Sequence, residues 1–339
     1  MLKLRRGTVV RADPLLVRVG GRERPAWADP DLVGEVRDGD EVIVNVEALD
    51  LGLGSGGFDV VHVNLTRGLE APGTEGEAMK LNYSSLQHPV DPVEGLPEDG
   101  SRRAIPVLAL SLHGQLAPAA WAAGRGEERI RVGYVQTAGG ALPGALSSDV
   151  AELRERGLLC DHVTAGPAYG GEREAVTVLG ALEAAAGPLG WDAAIAGPGP
   201  GILGSETRLG HGGMSALDTA HAALSLELET LVAPRMSSGD GRARHLGLSH
   251  HTDTVLRLLL GGVCVPFPAG EEAGLDQLRD ACGDRHELWP REAPVEEYEE
   301  AGLPTTHMGR AIDRDRLFFA SALAAGDGLA VAALVGEAA

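Results

Sequence analysis

Lysine is almost missing from this chain: Lys3 and Lys80 are the only two among 339 residues, and arginine supplies the other basic side chains. Such uniform use of arginine reads as compositional bias, which lowers the information in any single one. Basic residues are also outnumbered, 29 against 49 acidic, for a formal net charge of −20. A chain of that sign repels phosphate backbones and anionic lipid at long range, so neither nucleic acid nor a membrane is expected as a partner. Cysteine is scarce too. Cys160, Cys264 and Cys282 are an odd, scattered set without CxxC spacing, which excludes a disulfide framework and suits the reduced thiols of a cytoplasmic protein. No uninterrupted apolar run reaches the roughly 18 residues that span a bilayer. The opening MLKLRRGTVV carries charge but no apolar core of signal-peptide length. The expected address is the cytoplasm.

Aromatic residues make up only 4%. The core must therefore be built from small aliphatic side chains lying close to backbone, as where helices pack on a parallel sheet. What is present supports a large core: 44% of residues are hydrophobic, enough to exclude wholesale disorder. The length fits one large domain or two unequal ones.

The pattern changes along the chain. Residues 4–11, 15–19, 41–46 and 59–65 are rich in Val, Ile and Leu and partly alternate, with glycine-rich turns between them, including the run 52–57. Short strands at this spacing predict a small five-stranded barrel of SH3 or OB type over residues 1–65. Its strands lack interleaved basic and aromatic residues, so partner docking is expected of it rather than nucleic-acid binding. Residues 66–78 are polar with Gly and Pro and read as a linker. From 79 to 339, short apolar runs alternate with helical stretches. Strands are expected at 105–110, 130–135, 160–164, 192–196, 230–233 and 263–266. Helices are expected near 144–156, 172–186, 213–227, 250–260, 271–282 and 313–324, with the closing LAVAALVGEAA as one more. This is the pattern of an α/β fold, a doubly wound, mostly parallel sheet.

Nearly every strand of that second part runs into a glycine-rich loop, and loops that follow parallel strands gather at the carboxyl edge of the sheet, where open α/β sheets bind ligands. Gly139 and Gly140 lie in one such loop, Gly199 and Gly201 in another, and all four are candidates to bring backbone N–H groups to a ligand. Gly199 to Gly204 matches GxGxxG, but Pro200 stiffens the turn, no helix follows at once, and Arg235 stands near where an acidic residue is wanted. NAD(P) is not expected, and no other cofactor follows from the residues.

The histidines carry most information. His245, His250 and His251 fall within seven positions, and His211, His113 and His307 occupy other loops. Ser249 reads as the N-cap of a helix that places His250 and His251 in its first turn, with Asp253 on the face of His250, able to orient that ring. His250, His251 and Asp253 are thus the acid–base candidates. Arg208, His211, Arg242, Arg244, His245 and Ser249 are the ligand-binding candidates, with the arginines suited to a carboxylate or phosphate. No HxxxH or HExxH spacing occurs and no metal ligand is assigned. The competing readings are a metal site, because neutral imidazoles are good Zn or Fe ligands, and a capped helix bearing two solvated histidines. His211, Arg208, Arg244, His250 and His251 should converge on one site.

MKLNYSSLQ at 79–87, YVQTAGGALP at 134–143, residues 197–213, RHLGLSHHT at 244–252 and HMGR at 307–310 together resemble an uncharacterised bacterial family, domain of unknown function 3866 (DUF3866). The resemblance covers essentially the whole chain and implies no reaction, cofactor or catalytic residue. The function expected from the residues is binding of a small anionic ligand at the sheet edge, with hydrolase or transferase chemistry. The alternative is a non-catalytic ligand sensor whose barrel docks a partner. A homo-oligomer stays open.

Overall fold

The computed structural model describes residues 1–336 except 54, 55, 71, 72, 74, 98, 99, 101 and 127. Parts of the 52–57 run and of the 66–78 stretch, and the last three residues of the closing segment, therefore lie outside the described residues. The chain forms two compact units, Met1–Val90 and Asp91–Ala339. The boundary falls beyond 66–78 because a short antiparallel pair, Ala78–Lys80 with His88–Val90, belongs to the first unit.

In the first unit β1 (Leu4–Ala12), β2 (Leu15–Val19), β3 (Arg22–Trp27), β4 (Glu41–Asn45) and β5 (Asp59–Asn64) close into a barrel in the order β1-β2-β3-β5-β4. Alternation decides what faces inward: Val42 and Val44 of β4 are buried with Val9, Val17 and Val61, leaving the intervening side chains outside.

The second unit is built on eight strands: β6 (Val107–Ala109), β7 (Val132–Thr137), β8 (Asp161–Ala165), β9 (Arg173–Ala175), β10 (Ala193–Pro198), β11 (Thr230–Val232), β12 (Cys264–Pro268) and β13 (Glu287–Arg291). All pair in parallel, in the order β9-β8-β7-β10-β6-β11-β12-β13. The helices are α1 (Leu116–Ala123), α2 (Ser148–Glu155), α3 (Val178–Ala186), α4 (Ser215–Ser225), α5 (His250–Leu258), α6 (Leu275–Cys282), α7 (Val295–Glu300) and α8 (Arg316–Gly336). The central strands β6, β7 and β10 are buried along their whole length, which is why they read as continuous apolar runs.

Helices cover both faces. Leu108, Tyr134, Ile195 and Leu231 pack with α1, α2, α7 and α8. Val107, Val135 and Ala194 pack with α3 and α4, and Val232 and Val265 with α4, α5 and α6. Helix α8 is long and apolar enough to cross a membrane, with mean hydropathy 1.8 in its most apolar window, yet 72% of that window is buried inside the fold. It is a core helix.

The winding positions the site. From β6 at the centre the chain moves outward through β7, β8 and β9. It returns to insert β10 between β7 and β6, then continues on the other side of β6 through β11. Strand β6 leads to α1 on one face, whereas its neighbours β10 and β11 lead to α4 and α5 on the other. Loops that diverge from adjacent strands open a crevice at their carboxyl ends.

Candidate functional site

Two loops and the start of α5 meet over the end of β6. The loop after β10 delivers His211, the loop after β11 delivers Arg235 to Ser249, and α5 begins with His250 and His251. A Cβ placed on Gly213 would lie 3.1 Å from His211 Nδ1, 3.2 Å from His251 Nδ1 and 3.2 Å from the Ser111 carbonyl, the residue just past β6. A side chain at that junction would be tight, and its neighbours would have to give by a few tenths of an ångström.

Ser249 caps α5 as its position predicts: its backbone is extended and its side chain accepts from the His251 N–H at 3.2 Å. The same hydroxyl is 2.7 Å from His245 Nδ1. Four imidazoles are thereby gathered. His211 stacks on His251 with centroids 3.7 Å apart and planes 10° from parallel, and His250 lies edge-on to His211 at 5.3 Å. His245 is 4.9 Å from His250 and 5.0 Å from His251. His211, His245 and His251 are buried and His250 half-buried.

Arg235 organises the cluster, and its importance was not legible in a chain so rich in arginine. It is 2% exposed. Its Nη1 donates to His251 Nδ1 at 3.1 Å, and its Nη2 faces Asp240 at 3.4 Å. Asp240 also accepts from Arg242, at 2.9 Å from Nε and 2.7 Å from Nη2, and pairs with Arg310 at 3.3 Å. Arg310 bonds Asp315 at 2.9 Å, and Asp315 further accepts from Ser237 and the Ser238 and Gly239 amides. Three guanidinium groups thus share two carboxylates, an excess of positive charge in a strongly acidic protein.

Burial, reinforced by this positive charge, keeps the imidazoles neutral. Burial, then Arg235, holds His251 far below the ordinary histidine range, and burial with Arg235 and Arg242 pushes His245 down to about 3. His211 is lowered by burial and by His250, and His250 by burial and by Arg244. Burial brings Arg235 down to about 10, so it remains a cation at neutral pH. Arg242 holds Asp240 well below the usual carboxylate range.

Several of these groups have unused hydrogen-bonding capacity. His211 Nδ1, His250 Nε2, Arg235 Nε and Arg244 Nε are buried without a partner among the described residues. Nitrogens of His211, His250 and His251 lie within 4.8 Å of one another, a separation that also suits a metal ion. Two features weigh against a cation. The Arg235 N–H already occupies the His251 Nδ1 lone pair, and the guanidinium groups around the cluster outnumber the two carboxylates they share.

The remaining sequence-derived candidates divide. Arg244 lies at the rim with Nη1 3.4 Å from Glu206, and the Arg208 carbonyl meets His211 Nε2 at 3.0 Å. Asp253 does not orient His250: its carboxylate bonds Arg257 at 2.8 Å, one turn along α5. The glycines bring loop to loop. A Cβ on Gly139, which has φ +110°, would overlap the Gly212 carbonyl, and one on Gly140 would overlap that of Gly199. Gly201, at φ +67°, is an exposed turn residue. Elsewhere on the edge, His113 Nε2 is 2.7 Å from the Ser147 hydroxyl, and His307 stacks on Phe318 at 3.8 Å.

Comparison with curated proteins found no match, and neither did comparison with solved structures. One family model does match, over residues 25–326, and its description is "Protein of unknown function (DUF3866)". The match runs from the third barrel strand into α8, so the chain belongs to the DUF3866 family.

Proposed function

We propose that the second unit binds a small oxyanionic ligand at the carboxyl edge of its sheet, between His211, His250, His251 and Arg235, and performs hydrolysis or group transfer on it. The carrying observation is buried polar capacity combined with cationic surplus. Arg235 Nε, His211 Nδ1 and His250 Nε2 lack partners where three guanidinium groups face two carboxylates. An anion answers both features: it accepts from Arg235 Nε, a donor already desolvated, and offsets the excess charge. His250, half-buried and neutral, is the group best suited to exchange a proton with a ligand.

A second reading, a ligand sensor whose barrel docks a partner, draws support from the first unit, where Leu51, Leu53 and Val60 are 61%, 65% and 38% exposed.

Calorimetric titration with inorganic phosphate tests the primary reading. Saturable 1:1 binding to the wild type is expected, weakened at least roughly tenfold in His250→Ala with little change in unfolding midpoint, because a half-buried first-turn residue makes few core contacts. Absence of saturable binding at millimolar phosphate, or an effect of the variant on stability alone, overturns it.

A further inference from the structure

Resting on that reading, we infer that His211 makes the site selective for an oxyanion that still carries a proton, a phosphate, over one that carries none, such as sulfate. The tautomer of the His211 ring is set by its backbone partner. His211 Nε2 lies 3.0 Å from the Arg208 carbonyl. A carbonyl only accepts, so Nε2 holds the hydrogen, and in a neutral ring Nδ1 is left with a lone pair. That nitrogen is buried without a partner among the described residues, on a residue only 6% exposed.

The ring cannot easily turn to present a different atom. It is stacked at 3.7 Å on His251, and the bridge between Gly204 and His211 pins the base of its loop. The surrounding groups have the opposite character. Arg235 occupies His251 Nδ1, so the neutral His251 ring carries its hydrogen on Nε2 and is a donor there. Arg235 Nε is a donor by nature. The cluster therefore sets one fixed acceptor among several donors.

An anion with only lone pairs would satisfy the donors and press an oxygen against the His211 lone pair. Phosphate satisfies both, because one oxygen bears hydrogen and can donate to Nδ1 while the others accept. Leaving a buried polar group facing its own kind costs enough to separate two such ligands by roughly 10- to 100-fold in affinity. His211 would then be a specificity-determining residue, with the Arg208 carbonyl positioning it.

The test is parallel calorimetric titration of the wild-type full chain with inorganic phosphate, sulfate and methyl phosphate at pH 8 and constant ionic strength. Near that pH inorganic phosphate retains a proton, whereas sulfate has none and a phosphomonoester has lost its second. Phosphate is expected to bind at least roughly tenfold more tightly than either. In His211→Phe, which keeps a ring to stack on His251 but has no lone pair, the preference is expected to collapse toward unity. Equal binding of phosphate and sulfate by the wild type, or methyl phosphate binding as tightly as phosphate, overturns this inference alone. Binding of none of the three overturns it together with the proposed function. The wild-type comparison decides the matter even if the variant fails to fold.

Discussion

Arg235 Nη1 donates to His251 Nδ1 across 3.1 Å, with both residues buried, so a guanidinium fixes the tautomer of an imidazole in the first turn of α5. The pairing is unusual because each group raises the cost of charging the other. It persists because Asp240 balances Arg235 from the opposite side. Arg235→Lys should fail to restore function. A single ammonium has no planar fork with which to reach His251 and Asp240 together. Phosphate affinity should fall at least roughly tenfold, and urea unfolding should show a loss of about 1–3 kcal/mol for the unsatisfied buried groups. Wild-type affinity in the lysine variant would show that charge alone suffices at this position.

Ser249 holds two of the histidines at once, through the His251 amide and His245 Nδ1. Ser249→Ala should destabilise the protein by about 1–2 kcal/mol, the usual cost of losing an N-cap with a second hydrogen bond. Ser249→Thr, which keeps the hydroxyl, should recover most of that loss. Chemical denaturation of the pair checks this, and identical stability of the two variants would contradict the capping role.

Gly139 and Gly212 touch through backbone, and Gly139 also has φ +110°. Gly139→Ala should cost about 1–3 kcal/mol from strain and overlap, and it should weaken phosphate binding by displacing the neighbour of His211. Thermal unfolding and titration of the same sample measure both effects. An alanine accepted without loss of either would mean that the two loops pack independently.

Acid should destabilise the fold through His162. Burial, with a smaller contribution from His113, lowers its pKa from 6.5 to about 4, and Tyr134 stacks on its ring at 5.4 Å. Between those two values the unfolded chain binds the proton and the folded one does not, so stability rises with pH there. The contribution is complete above about pH 6.5 and is lost progressively as pH falls through about 4, up to about 3 kcal/mol. His162→Phe keeps a stacking ring without a proton site and should flatten denaturation curves over that window. An unchanged slope would assign the acid sensitivity to other histidines.

Much of the architecture could be read from periodicity. The six expected sheet strands are all present, because buried parallel strands leave apolar runs bounded by glycine. What escaped had weak local signals. Helix α1, LAPAAWAA, is apolar all round and carries Pro118, so it shows no amphipathic stripe. Edge strand β9 has three residues, and expected helix 172–186 begins only at Val178, where Thr177 caps it. At the site, His211, His245, His250, His251 and Ser249 were legible because histidines and a cap in consecutive loops are uncommon. Arg235, Asp240, Asp315 and Arg310 were not, since their meaning depends on the pairing of Asp240 with Arg310, 70 positions away.

The most direct test of the central claim is a side-chain nitrogen–proton correlation spectrum of the 11 histidines, recorded through a titration with inorganic phosphate. Saturable shifts of His211, His250 and His251 are expected, with His113 and His162 unmoved. Imidazole signals that ignore millimolar phosphate but respond to one equivalent of zinc would contradict it and identify the cluster as a metal site.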